Sequence, residues 1–271
     1  MSGKNLTSYD DRRGNDVQII GGELRTGNML VGGKDQEIDE ESATQNFVLG
    51  TRKYIDGGER VFVYSHIHAS YQLGRGRCAQ AYNTAGTEKG AFLGAQINGA
   101  YTINWTVVGA SIAANQFAEG YLFMQGGFTK RIKSHPAQTI GLACTLTLHE
   151  KLTDISLSAG RYGMLVENKY ANVISREQAG FLPGLVVGIA PMDFTAGYYG
   201  WLQVKGPCGV LSSQSDKGDA DAEHAIVAGA SQGSECILQA AHGYQVIGYL
   251  LPMNTVSWEN ENFMLVNLNI E

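Results

Sequence analysis

The sequence predicts a mainly β protein, made of short antiparallel strands that form one or two β-sandwich or barrel domains after an extended N-terminal arm. Three observations predict this fold class. The 271-residue chain has 35 glycines and only 17% charged residues, which favours many tight turns. Short runs of β-branched and aromatic residues alternate with turn signals. No segment sustains a 3.6-residue apolar period for three turns, as an amphipathic helix would.

The first 45 residues differ from the rest and predict the arm. They contain two charged stretches, 10–13 and 37–41, and one short apolar stretch, 17–20. Such a segment cannot bury enough apolar area to offset its chain entropy. We interpret it as an arm that orders against a partner, with a disordered leader as the alternative. Residues 23–31, between two Gly-Gly pairs, could form one strand, and deleting 1–45 is expected to leave the β-domains folded.

The strands predicted after the arm are short, as strands usually are. They cover residues 61–64, 102–108, 142–148, 163–166, 185–189, 199–204, 226–227, 246–250 and 264–270. Residues 110–117 could form a single helix-like turn. A boundary is predicted near 175–183, where polar residues precede a Pro-Gly turn. The predicted domains are therefore 46–178 and 179–271, the latter being a second β-domain or a continuation of the first.

Charge and hydropathy exclude several partner classes. The formal net charge is −6, and the densest basic cluster (Lys130, Arg131 and Lys133) is too short for a surface that neutralises phosphates. No apolar run approaches the roughly 18–20 residues that span a bilayer, and the N-terminus lacks the apolar core of a signal peptide. We therefore expect neither a nucleic acid nor a membrane as partner.

The four cysteines are expected to be free thiols. Cys78, Cys144, Cys208 and Cys236 are spaced unlike the ligands of a zinc ribbon or the cysteines of a small secreted scaffold. Free thiols are typical of a protein that is made in a reducing cytosol.

A Gly-x-Ser-x-Gly pentapeptide at residues 229–233 is the sharpest enzyme motif. In α/β-hydrolases this pentapeptide exposes the serine to a histidine base at a strand-to-helix turn. Only 38 residues follow Gly233, and they contain one histidine (His242) and no aspartate. No series of strand–helix–strand units precedes it. A serine hydrolase that uses Ser231 is therefore the alternative from a different class, and a chance match is the simpler interpretation.

Two further patterns could bind cations. His66 and His68 would lie on one face of a strand, and His135 or His149 could approach them in space. Asp219, Asp221 and Glu223, in the acidic stretch 216–223, could offer oxygens to calcium, although the EF-hand order is absent. The simpler interpretations are packed strand histidines and a solvated turn.

Two remaining motifs favour structural roles. Gly74-Arg75-Gly76-Arg77 lacks the spacing and the helix of a phosphate-binding loop and is typical of a turn with exposed arginines. Tyr199, Trp201 and Gln203 would share one strand face, which places Trp201 either in the core or at a subunit contact. We predict no catalytic, cofactor-binding or metal-binding residues, no cofactor and no enzymatic activity.

Three segments resemble tailed-bacteriophage virion proteins of the head-decoration (cement) kind: 49–64, 198–207, and 246–251 followed by 264–270. The resemblance implies a non-enzymatic protein on the capsid exterior that binds the major capsid protein. It also implies a homo-oligomer, with a trimer favoured, and location on the virion surface after assembly in the host cytoplasm. A head fibre or a tail protein is the alternative within the same class.

Overall fold

The structure, a computed structural model, describes the chain in segments. These are residues 8–11, 15–20, 23–26, 35–82, 87–92, 98–125, 127–152, 162–175, 184–211, 225–228, 236–238, 245–251 and 263–270. The mainly β, antiparallel character that the sequence predicts is confirmed. The chain divides into two compact units. Unit 1 comprises residues 1–82 and 170–271, and unit 2 comprises residues 83–169.

Unit 1 is built on one large antiparallel sheet. Its elements are β1 (Ser8–Asp11), β2 (Asn15–Ile20), β3 (Glu23–Thr26), β4 (Arg52–Ile55), a 3-10 turn (Asp56–Gly58), β5 (Arg60–His66), β6 (Cys78–Ala81), β13 (Val173–Ser175), β14 (Val186–Ile189), β15 (Tyr199–Leu211), β16 (Ala225–Ala228), β17 (Cys236–Leu238), β18 (Val246–Leu250) and β19 (Phe263–Asn269). The strands run in the order β1-β2-β3-β4-β5-β15-β19-β18-β16-β17, while β14 pairs with β15 and β6, and β13 pairs with β6.

The 13-residue strand β15 joins two hydrophobic cores of unit 1. Its first half pairs with β5, from Tyr199 opposite His66 to Lys205 opposite Val61. Its second half pairs with β19. Trp201, Leu202 and Val204 belong to one buried cluster, whereas Cys208 and Val210 belong to the other. Consecutive residues of the first half are buried, so both faces of the strand are covered.

Unit 2 is a closed six-stranded antiparallel barrel. Its strands are β7 (Thr87–Phe92), β8 (Thr102–Val108), β9 (Tyr121–Met124), β10 (Phe128–Ser134), β11 (Ala143–Leu148) and β12 (Tyr162–Val166). They run in the order β10-β11-β8-β7-β12-β9, and β9 pairs back to β10. Strict alternation sends Ile103, Trp105 and Val107 of β8 inward. Gly163 of β12 permits this packing, since a Cβ there would lie 2.7 Å from the Trp105 ring.

A buried histidine holds the loop before β9 against the end of β10. His135 Nε2 accepts a hydrogen bond from the Phe117 amide at 3.0 Å, and its Nδ1 lies 2.9 Å from the Pro136 carbonyl oxygen, to which it donates. The Asn115 side chain accepts from the His135 amide at 3.0 Å. Because Nε2 must be unprotonated to accept, this arrangement requires the neutral ring. Residues 114–119 form turns, which overlap the helix-like turn suggested for residues 110–117.

The observed division of the chain differs from the predicted boundaries near 45 and 178. Unit 2 is an insertion in unit 1, and β6 pairs with β13 and β14, which follow the insertion in the chain. Local sequence signals do not report such long-range pairing, so the polar stretch at 175–183 was an insufficient marker of a boundary.

Candidate interaction site

Gln36 ties the segment 35–47 to the sheet of unit 1. Its side chain is 2% exposed. The amide nitrogen donates to the carbonyl oxygens of Glu40 at 2.8 Å and Tyr199 at 2.9 Å. The amide oxygen accepts from Asn46 Nδ2 and from the Tyr64 hydroxyl, both at 3.0 Å. The side chain therefore uses both its donors and both its acceptor positions, as a buried amide requires.

The backbone of Gln36 receives two further donors from unit 1. Its carbonyl oxygen accepts from Trp201 Nε1 at 3.0 Å and from Lys53 Nζ at 3.1 Å. Lys53 Nζ also lies 3.2 Å from the Glu37 carboxylate and 5.7 Å from the centroid of the Trp201 ring. A buried ammonium group needs contacts that replace its hydration, and these contacts do so for Lys53.

Two more contacts attach the same segment. Ser42 and Tyr199 exchange backbone hydrogen bonds of 2.9 and 2.8 Å. The Glu41 carboxylate accepts from the amide and the hydroxyl of Thr195 at 2.7 and 2.8 Å. Residues 35–45 are therefore part of unit 1, which corrects the prediction that the whole segment 1–45 is a separable arm. The physical reason is a buried polar network, which apolar content does not reveal.

An aromatic cluster lies beneath this segment. The rings of Tyr64 and Phe47 pack against Trp201 at centroid distances of 5.0 and 5.1 Å, and Tyr199 stacks on Tyr64 at 6.2 Å. Trp201 is 1% exposed and belongs to the core of unit 1, so its intrachain alternative is the correct one. Burial raises the pKa of Tyr64 to about 12, and its protonated hydroxyl donates to Gln36.

The paired histidines on β5 and after it are occupied by the protein itself. His66 Nδ1 lies 2.6 Å from the Ala171 carbonyl oxygen, and its ring packs on Tyr199 at 4.4 Å. His68 Nδ1 accepts from the Ser70 amide at 3.1 Å. Burial, and secondarily the neighbouring His66, lowers the pKa of His68.

His135 and His149, the other candidate ligands, belong to unit 2. Across the described segments, no three His, Cys, Asp or Glu side chains form a group that could hold a metal ion.

The remaining sequence motifs lie in separate parts of the chain. Arg75 is exposed in a turn, where its amide donates to the Asp193 carboxylate at 2.8 Å, while Arg77 is half-buried. The basic cluster lies on β10, where Lys130 pairs with Glu150 at 3.4 Å. Ser231 with its pentapeptide, His242, the acidic stretch 216–223 and the side chain of Cys236 lie outside the described residues. Cys78, Cys144 and Cys208 are buried thiols.

Sequence reasoning missed two features of possible interaction sites. Gln36 and Asn46 carry no motif, because an isolated amide residue in a polar segment gives no local signal of burial. The exterior of the barrel was also missed, where Tyr121, Phe123 and Tyr162 are exposed. Burial alternates along β9 in the pattern exposed–buried–exposed–buried. This alternation is the signal that could have identified Tyr121 and Phe123 as exposed.

Comparison with known proteins identifies no relative. No protein-family model matches the chain, no curated protein matches it, and no solved structure matches it. Within the described part of the chain, no helix has the length and apolar character to cross a membrane.

Proposed function

We propose that this chain is a non-enzymatic structural protein of a tailed-phage virion, which decorates and stabilises the capsid exterior by binding the major capsid protein as a homo-oligomer. The proposal rests on the resemblance of three segments to head-decoration proteins. A decoration protein needs area and rigidity more than it needs a pocket, since it must hold neighbouring capsomers together.

The observation that carries the proposal is the adjacency of those three segments in space. Residues 49–64 contain β4 and β5, residues 198–207 begin β15, and the last segment contains β18 and β19. These five strands are neighbours in one sheet, in the order β4-β5-β15-β19-β18. Three segments far apart in sequence thus form one continuous part of the sheet. Their adjacency supports the interpretation that the three similarities reflect one common structural element.

The N-terminal end of this sheet supports a way of binding the shell. Strands β1 to β3 form an antiparallel meander that continues the sheet beyond β4. Among the described strands, β1 pairs only with β2, so its other edge is available to a strand of a partner. Strand addition at such an edge uses backbone hydrogen bonds and suits an extended contact with a capsid subunit.

The test is co-sedimentation of the purified protein with expanded shells that were assembled from the major capsid protein of the same phage without this chain. We expect saturable binding by the full chain. Deleting 1–34 should weaken binding by at least about tenfold, because it removes the edge strand and keeps the Gln36 contacts.

Two controls make this experiment decisive. Circular dichroism of the 1–34 deletion must show the retained β signal, so that lost binding is not lost folding. Failure of the full chain to bind the shells would overturn the proposed function. Binding by the deleted chain equal to that of the full chain would overturn the role of the β1 edge.

A further inference from the structure

Unit 2 exposes an unusual share of large apolar side chains. Twelve such side chains are exposed among the described residues, and eight of them lie in unit 2, although this unit holds residues 83–169 only. The eight are Tyr101, Val108, Tyr121, Phe123, Phe128, Ile140, Leu142 and Tyr162. Contiguous exposed apolar surface is typical of interaction sites in soluble proteins.

Three of these side chains form what we call the aromatic face, on the outside of β9 and β12. Phe123 on β9 is 46% exposed and lies opposite Met164 of β12 and Thr129 of β10. Tyr121 precedes it on the same face of β9, and Tyr162 lies at the start of β12, 64% exposed. With rings of about 200 Å² each, the exposed fractions of the three amount to about 300 Å².

That area is somewhat more than a third of the roughly 800 Å² that each partner of a standard interface contributes. Aromatic residues are enriched and charged residues depleted at the centre of such an interface. The outward neighbours of Phe123 across the strands, Met164 and Thr129, are uncharged. Tyr121, in contrast, lies opposite Arg131 of β10. A partner docked on this face would therefore meet uncharged neighbours around Phe123 and one charged residue at the Tyr121 end.

A second apolar surface, the aliphatic rim, surrounds the end of β8. It consists of Val108, Ile140 and Leu142, which are 44%, 50% and 54% exposed. The loop that carries the last two is held to β8 by hydrogen bonds between the backbones of Val107 and residues 141–142, at 2.7 and 3.1 Å. In the barrel order β10-β11-β8-β7-β12-β9, β8 and β9 lie three strands apart in both directions, on opposite sides.

The geometry points to a head-to-tail contact in which the aromatic face of one copy of this chain docks on the aliphatic rim of the next. This inference rests on the homo-oligomer part of the proposed function and locates its interface. A second copy fits because it brings both surfaces, whereas a different partner would cover one and leave the other exposed. Every barrel strand is paired on both sides, so the contact must use side chains and not strand addition.

Two unlike surfaces on opposite sides of one subunit give a heterologous interface, which closes into a ring when the rotation permits. The smallest such ring is a trimer, the oligomer expected from the resemblance. A two-fold dimer would instead join the same surface of both copies. The ring therefore needs the aliphatic rim, whereas a two-fold dimer through the aromatic face does not.

The test uses the full chain and measures mass by light scattering over a series of concentrations. The variants are Phe123→Lys on the aromatic face and Leu142→Lys on the aliphatic rim. Tyr249→Lys in unit 1 is the matched control, because Tyr249 is 55% exposed. We expect a trimer for the wild type and for the control, and at least about tenfold weaker association for either test variant.

Mixing the two test variants sharpens the result. Phe123→Lys keeps its rim and Leu142→Lys keeps its aromatic face, so an equimolar mixture should form a one-to-one dimer and nothing larger. A wild type that stays monomeric at every concentration would overturn the inference. So would a Leu142→Lys variant that associates as the wild type does, or a mixture that stays monomeric.

Thermal melts and shell-binding measurements distinguish a loss of association from a loss of folding and from a failure of the proposed function. Thermal melts of both variants should match the wild type closely, since exposed positions rarely change stability by more than about 0.5 kcal/mol. If one variant unfolds, Tyr162→Ser or Ile140→Ser replaces it on the same surface. A monomeric wild type that still binds decoration-free shells would overturn the ring and the homo-oligomer part of the proposed function, and would leave shell decoration itself intact.

Discussion

The two units of this protein use tryptophan in the same way and their surfaces in different ways. Trp201 in unit 1 and Trp105 in unit 2 are both at most 1% exposed, each at the centre of its own core. Unit 1 has an open sheet, and the segment 35–47 packs against it through the Gln36 network. Unit 2 closes its sheet and displays aromatic side chains outside.

This difference shows how sheet closure determines the available modes of association. An open sheet retains edge strands, which accept further strands of its own chain or of a partner. A closed barrel has no edge and can associate only through its exterior side chains. The interactions of unit 1 should therefore depend on backbone pairing, and those of unit 2 on apolar surface.

The largest expected effect is the loss of either central tryptophan. Trp201→Ala should lower the free energy of unfolding by about 3–5 kcal/mol, because it opens a cavity in the first core of unit 1. Trp105→Ala should cost a similar amount in the barrel. Denaturant unfolding followed by circular dichroism measures both. A Trp201→Ala variant that keeps the unfolding free energy of the wild type and loses only its oligomeric state would contradict the core assignment.

A smaller loss is expected from Gln36→Ala, about 2–3 kcal/mol. The truncation leaves the buried Asn46 amide and Tyr64 hydroxyl without their shared acceptor. Gln72→Ala is the matched control, since Gln72 is exposed and should change stability by less than about 0.5 kcal/mol. Equal melting temperatures for Gln36→Ala and the wild type would show that the segment 35–47 contributes nothing to unit 1.

The pH dependence of unit 2 should reflect His135. Burial lowers its pKa below the ordinary value of 6.5, so the unfolded chain binds this proton more tightly than the folded one does. The stabilising contribution is therefore complete above about pH 6.5 and is lost as the pH falls below it.

The protection factor of the Phe117 amide, which donates to His135 Nε2, measures this effect directly by hydrogen exchange. Protection should fall between pH 7.5 and pH 5.5, values chosen to bracket the ordinary pKa of about 6.5. Burial also lowers the pKa of His149, so a His135→Gln variant should retain part of the acid sensitivity of the unit. Unchanged protection across this range would contradict the neutral-ring arrangement.

The smallest effect concerns the reactivity of the thiols, which should differ between the native and the denatured protein. Burial raises the pKa of Cys208 to about 12 and raises that of Cys144. Both thiols should therefore resist alkylation in the native protein, since the thiolate is the reactive form. In denaturant without reductant all four cysteines of the chain should react. A reproducible count of two would indicate a disulfide.

Strand prediction from sequence succeeded where alternation is strict. β8 has the predicted bounds, because its inward and outward residues differ clearly in polarity. β18 also has the predicted bounds, although its burial does not alternate strictly. Strand β10 was missed, since Lys130, Arg131 and Lys133 dominate its composition and only Ile132 is buried. The short strands β6, β13 and β17 were also missed, because three or four residues are too few to show a period.

The sequence by itself determined the β class, the many turns and the inward or outward direction of the alternating strands. These properties depend on neighbouring residues, since side-chain direction in a strand has a period of two. Only the tertiary structure decided that residues 83–169 form an inserted barrel and that Trp201 lies in a core. It also decided that Gln36 anchors the segment 35–47 to a strand 163 residues away along the chain. Such contacts join residues with no local relation, so they exist only once the strands have paired.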